Sequence, residues 1–154
     1  MGSRLDISGI APRTYATMSR LSAESHGYGL EPLLVELVKT RASQINGCAF
    51  CVDMHTKDAR AAGEEEHRLY LLVAWRECDW YSERERAALA LTEAMTRLPD
   101  GHGVPDDVFA AAADLFSEQE LAGLIWVITV INAWNRIAIT TRMEPGHYQP
   151  GGGE

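Results

Sequence analysis

The chain has 154 residues and a net charge of −8, with 46% hydrophobic and 23% charged residues. That is long enough for one domain with a real core and ordinary for a globular protein. The acidic surplus and the lack of a basic run argue against a nucleic-acid partner, and no basic segment leading into an apolar one marks a secretory signal at the start.

In chain order, Ala11-Pro12 opens a first helix carrying Tyr15, Met18 and Leu21, which Gly27 closes. Pro32 opens a second through residues 33–43, and Asn46-Gly47 is a break. A third runs from about Cys48 to Ala62, with Gly63 as its stop. The stretch EEEHRLYLLVAWRE (64–77) has acidic residues in its first turn, where the helix dipole favours them. Ser82 to Glu85 form a capping box before ERAALALTEAMTRL, and residues 99–103 form a loop. Pro105 starts the next helix, through Phe116. Ser117 to Glu120 form a second capping box before a long apolar helix ending near Thr141.

WVITVI (126–131) taken alone has strand composition, but its capping box and the helix-length stretch around it favour helix. The reading is a single all-α domain of about seven helices over residues 8–142, with a disordered tail over 143–154. The longest apolar run, 121–131, is shorter than the roughly 18 residues a bilayer span needs. It reads as a buried helix or a subunit contact, so no membrane partner is expected. The expected compartment is the cytoplasm, where thiols are kept reduced.

That matters for SQINGCAFCVDMHTKDAR (43–60), which holds two of the three cysteines. On a helix, Cys48, Cys51, His55, Ala59 and Ala62 fall within an arc of about 80°. Asp53, Lys57 and Arg60 take the opposite, wet face. One inner stripe therefore carries two thiols and an imidazole where a core would carry Leu or Ile. Cys48 follows a glycine break, where unpaired N–H groups and the helix dipole stabilise a thiolate. Cys51 and His55 are i, i+4 neighbours, close enough for the imidazole to exchange a proton with a thiol. A C-x-x-C disulfide is local and reversible, which suits electron transfer.

Other chemistries fit less well. Zinc takes four ligands, or three and water; Cys48, Cys51 and His55 supply three, and no second C-x-x-C follows. Covalent haem needs His directly after the second cysteine, where Val52 stands. An iron–sulfur cluster lacks its fourth cysteine unless subunits share one. The plainest alternative makes both cysteines small buried apolar groups.

RASQINGCAFCVDMHTKDAR, with Glu36 twelve residues before Cys48, resembles the alkylhydroperoxidase D branch of the carboxymuconolactone decarboxylase superfamily, as does INAWNR at 131–136. The branch pattern is a Glu, a spacer, C-x-x-C, three residues and a His, here Glu36, Cys48, Cys51 and His55. The resemblance covers about residues 8–142. It implies an all-helical subunit in a homo-oligomer, commonly a trimer or hexamer. It also implies a peroxidase or disulfide reductase whose Cys48–Cys51 pair cycles between dithiol and disulfide. Glu36 and His55 would relay protons, an external dithiol would supply electrons, and no metal or organic cofactor would be needed. Peroxide-reducing members carry a His just before the second cysteine; Phe50 stands there, a departure that bears on peroxide turnover and leaves the redox pair intact. The alternatives are decarboxylation of a muconolactone-like acid, whose enzymes generally lack the cysteine pair, and a non-enzymatic oligomeric redox sensor.

Periodicity by itself turns Glu36 to solvent, off the stripe of Leu33, Leu34, Leu37 and Val38; only the resemblance makes it part of a relay. His26, His67, His102 and His147 read as surface residues, and Trp75, Trp80, Trp126 and Trp134 as core or interface. Asn132 and Asn135, late in an apolar helix, need hydrogen-bond partners if buried.

Overall fold

The computed structural model describes residues 2–101 and 103–151. His102, read as a surface residue, and residues 152–154 of the expected tail lie outside the described residues. Eight α-helices follow in order: α1 Ile7–Ile10, α2 Pro12–Glu24, α3 Pro32–Asn46, α4 Ala49–Ala61, α5 Glu66–Leu71, α6 Glu83–Thr96, α7 Asp106–Leu115 and α8 Glu118–Thr141. Short 3-10 turns cover Leu72–Glu77 and Leu98–Asp100. Among the described residues there is no strand, and WVITVI lies within α8.

The local signals act as their chemistry requires. Pro12 and Pro32 sit in the first turns of α2 and α3, where their missing N–H costs no helical bond. Both capping boxes are formed: Ser82 with Glu85 starts α6, and Ser117 with Glu120 starts α8. Two features were not expected. The four-residue α1 is capped by Asp6, whose carboxylate accepts from the Gly9 N–H at 2.9 Å. The 64–77 stretch begins its helix at Glu66 and loses α geometry after Leu71, where Ala74 adopts φ −120°, ψ 27°.

α3 is the centre of the molecule and packs against α4, α6 and α8. Leu37, Val38, Thr40, Ala42 and Ser43 on successive faces are fully buried. One apolar cluster joins α3, α6, α7 and α8 around Val38, Ala88, Leu91 and Ile128. Another, around Leu37, Ala59, Leu72 and Leu89, joins α3, α4 and α6. α8 is long and apolar enough to cross a membrane by length and composition, with a mean hydropathy of 1.4 in its best window. Here it lies along the bundle and buries Leu124, Val127, Ile128, Val130 and Ile131, while Trp126 is exposed.

Two polar networks lock α3 in place. The Glu93 carboxylate of α6 accepts from Arg41 Nη2 at 2.6 Å, from Trp75 Nε1 at 2.9 Å and from Arg76 Nη2 at 2.8 Å. It ties α6 to α3 and to the 72–77 turn. At the end of α3, Asn46 Nδ2 donates to Asn132 Oδ1 at 3.0 Å and to Asn135 Oδ1 at 2.8 Å. Asn135 Nδ2 donates in turn to Ser43 Oγ at 3.0 Å. The side-chain partners of the buried Asn135 are thus on α3, while Asn132 Nδ2 donates to Thr96 Oγ1 of α6 at 3.0 Å.

Beyond α8, residues 143–151 run back over the outer face of α4. The Gly146 N–H donates to Asp53, Lys57 donates to the Tyr148 carbonyl, and the Tyr148 hydroxyl donates to Asp58 at 2.7 Å. Asp53 and Lys57, expected to be wet, are therefore partly covered.

Asn135 is fully buried and bonded on both sides. Asn135→Ala should lower stability by about 2–3 kcal/mol in urea unfolding, because it leaves a cavity and deprives Asn46 and Ser43 of partners.

Candidate active site

The site begins at the α3–α4 corner. Gly47 has φ 72°, a left-handed conformation that glycine adopts without steric cost, and its N–H closes α3 on the Gln44 and Ser43 carbonyls. Cys48 then caps α4, its sulfur accepting the Cys51 N–H at 3.3 Å. Cys48 and Cys51 are joined as a disulfide, and Cys78 is free. Both paired cysteines are buried, packed against Ala138 of α8, Phe50 and Met143.

The stripe expected on α4 is the buried face over Cys48, Cys51, His55 and Ala59. Ala62, expected to extend it, is exposed because the helix has ended there. The chain reversal at Gly47 lays α3 beside α4 and brings Glu36 to His55. The Nδ1–H of His55 donates to Glu36 Oε2 at 2.8 Å. The other carboxylate oxygen accepts from Lys39 Nζ at 3.0 Å. These side chains keep 7%, 13% and 9% of their surface for His55, Glu36 and Lys39. The solvent-facing Glu36 of the periodicity reading is corrected: α3 is covered on nearly every side, so it has no wet face for a wheel to find. Burial pushes the Glu36 carboxyl up, but the His55 hydrogen bond and the Lys39 charge outweigh it and hold the group down at about 2. Glu36 is therefore a carboxylate at neutral pH, and the proton on Nδ1 leaves Nε2 as the nitrogen able to take another.

A cavity of about 280 Å³ opens beside this pair. Cys51 and His55 form part of its wall, with Tyr15, Phe50, Met54 and Trp134 among the apolar groups. Tyr15 meets Trp134 edge-on at 5.1 Å between ring centres. Of the pair, Cys51 borders the cavity and Cys48 is not among its lining residues. The sequence reading missed three contributors. His26 is exposed, as expected of a surface residue, yet it also lines the cavity, as does Lys39, which was not singled out at all. Asp58 places a carboxylate near Glu36 and His55, the ligand atoms of the three lying within 4.8 Å of one another. A lysine one turn after Glu36 was the available signal for Lys39, but on an isolated helix it reads as a solvated pair. His67 is exposed, as expected.

The model of the carboxymuconolactone decarboxylase family matches residues 12–94. The chain belongs to that family. An uncharacterised Bacillus subtilis protein, YdfG, is 42% identical over 139 residues, covering 90% of this chain and 94% of its own. A solved structure of a protein of unknown function from Agrobacterium tumefaciens, named as an AhpD antioxidant defence protein, is 37% identical. It superposes with a TM-score of 0.90 over 96% of this chain and 100% of its own. The AhpD core of a peroxidase-related protein from Ralstonia eutropha shares the fold, with 18% identity and a TM-score of 0.75 over 91% of this chain and 74% of that one. Within that family the chain is of the AhpD-like branch, and its all-helical architecture is that of the branch.

Glu36 titrates lower folded than free, so its contribution to stability is fully present above the unfolded value of 4.5 and is lost as pH falls toward 2. Over that window the parent should lose up to about 3 kcal/mol more than Glu36→Gln. Parallel urea titrations at pH 5.5 and pH 2.5 measure the difference; equal losses would mean the carboxylate is not clamped.

Proposed function

We propose that this protein is a thiol-dependent peroxidase or disulfide reductase that works through the Cys48–Cys51 pair, with His55 and Glu36 as its proton relay. The observation that carries the reading is the His55–Glu36 hydrogen bond beside a cysteine that opens on an apolar cavity. Imidazole Nε2 takes the Cys51 proton, and Glu36 steadies the imidazolium that results. The thiolate attacks the terminal oxygen of a hydroperoxide; the O–O bond breaks, the alkoxide leaves and takes the proton from His55 as the alcohol, and Cys51 becomes a sulfenic acid. The Cys48 sulfur then displaces hydroxide, which leaves as water with the Cys48 proton, and the disulfide forms. An external dithiol reduces it by exchange, returning two protons and two electrons to the pair.

The apolar cavity favours a carbon-bearing substrate over hydrogen peroxide. Phe50, in the wall beside the pair, makes His55 the α4 imidazole on which proton transfer relies. A cytoplasmic, reducing location fits a dithiol reductant.

The experiment is a thiol count with and without an organic hydroperoxide. Oxidation should remove two of the three thiols, and peptide mass spectrometry should find Cys48 joined to Cys51 with Cys78 free. Stopped-flow oxidation of Glu36→Gln and of His55→Ala at neutral pH should run about 10²- to 10⁴-fold slower than the parent. A dominant bridge to Cys78, or parent rates in both variants, would sink the reading.

We also propose a homo-oligomer, a trimer or hexamer. Support comes from large apolar side chains left open on the subunit, including Ile10 at 69%, Tyr70 at 67% and Val73 at 62% exposure. Light scattering at micromolar concentration should return a multiple of 17.0 kDa; the monomer mass would refute the proposal.

A further inference from the structure

Lys39 is a lysine where the fold has little room for one. Only 7% of it is exposed, it lies on the innermost helix, and it lines the cavity. Its Nζ is 3.0 Å from the Glu36 oxygen that His55 does not use. Isolated buried ammonium groups shed their proton or find an anion, and this one has found an anion that also has a second task.

We propose that Lys39 is a positioning residue of this centre, clamping Glu36 through one oxygen so that the other holds His55, and cancelling the carboxylate charge so that a Cys51 thiolate forms at a lower pH than it otherwise would. The inference rests on the relay reading above and adds to it the group that sets its charge. The charge count explains why a cation is needed. With Lys39 present, the Glu36 and Lys39 charges cancel beside the imidazole, and the Asp58 carboxylate is the remaining negative charge nearby. Moving the Cys51 proton to His55 leaves that sum unchanged. Without Lys39 the same thiolate state carries one more uncancelled negative charge. Removing a positive charge raises the pH at which every neighbouring acid gives up its proton.

The surrounding charges do not replace it. On α3, Arg41 is turned away to Glu93 of α6. α4 contributes His55 and the Asp58 carboxylate, which is of the wrong sign, and the segment after α2 contributes His26. The α8 residues on the cavity, Val127, Val130, Ile131, Trp134 and Ala138, carry no charge.

The test uses thiolate reactivity, which does not depend on any peroxidase activity. Fully reduced protein is alkylated with iodoacetamide across pH 5 to 10, and peptide mass spectrometry follows Cys51. Lys39→Met and Lys39→Gln should each move the rising limb of the rate–pH profile up by about one unit relative to the parent. Lys39→Gln keeps a hydrogen-bond donor and loses the charge, so it separates the two contributions, and Lys39→Arg should restore the parent limb. Limbs that stay in place in both neutral variants would overturn the proposal. A role in packing alone would lower the rates without moving the limb. Should neither variant fold, the unmodified protein still decides: the side-chain carboxyl carbon of Glu36 should titrate near 2 by NMR, and a midpoint at the ordinary 4.5 would overturn the clamp. Failure of the peroxide assay with a shifted alkylation limb would discard the peroxidase reading and keep Lys39.

Discussion

The arrangement of this protein's site depends on a single residue of left-handed backbone at Gly47. With only Gly47 and the cap residue Cys48 between them, α3 and α4 cannot drift apart, and the chain reverses within one turn. Counting back about three helical turns on α3 reaches Glu36, and counting forward about two on α4 reaches His55. An added residue in the corner would rotate α4 by about 100° and carry His55 off its carboxylate. The asparagine network at the same corner, from Asn46 to Asn132 and Asn135, pins it to α8 and fixes the height of the two helices against the cavity wall.

Among the described residues, Glu93 and Glu36 are carboxylates held by polar partners at α3, and their surroundings differ. Glu93 is held by Arg41 of α3 and by Trp75 and Arg76 of the 72–77 turn, three donors from two elements. Taking the Glu93 and Arg41 charges out of water costs several kcal/mol each, offset by hydrogen bonds that also fix the relative placement of three segments. Glu36 has two partners, and one of them is a titratable imidazole on a cavity wall. A proton added to or removed from that imidazole changes the local charge where little water can screen it. On the proposed function, that charge change would act beside Cys51, on the same cavity wall.

The cavity is built by packing rather than by a dedicated loop. α2 supplies Tyr15, α4 supplies Phe50 and Met54, and α8 supplies Trp134. These side chains and Cys51 share the cavity wall. Residues 143–151 close over the other side of α4, so the helix that carries the cysteines is held from both directions.

Much of this was legible in the chain. The two prolines, the two capping boxes and the glycines at 47 and 63 act through their own backbone chemistry, so they mark α2, α3, α4, α6 and α8 without reference to any neighbour. The shared face of Cys48, Cys51 and His55 is likewise a property of one helix and its period. What the chain could not disclose was the environment of α3. Periodicity tells which residues of a helix share a face, and it assumes that one face meets water. α3 is surrounded, so Glu36 and Lys39, an ordinary solvated pair by spacing, became a buried ion pair against His55. The asparagines announced a need for partners, and only packing named Asn46 and Ser43. Tertiary structure decided these points because burial, unlike helix phase, is set by what the other elements bring to a side chain.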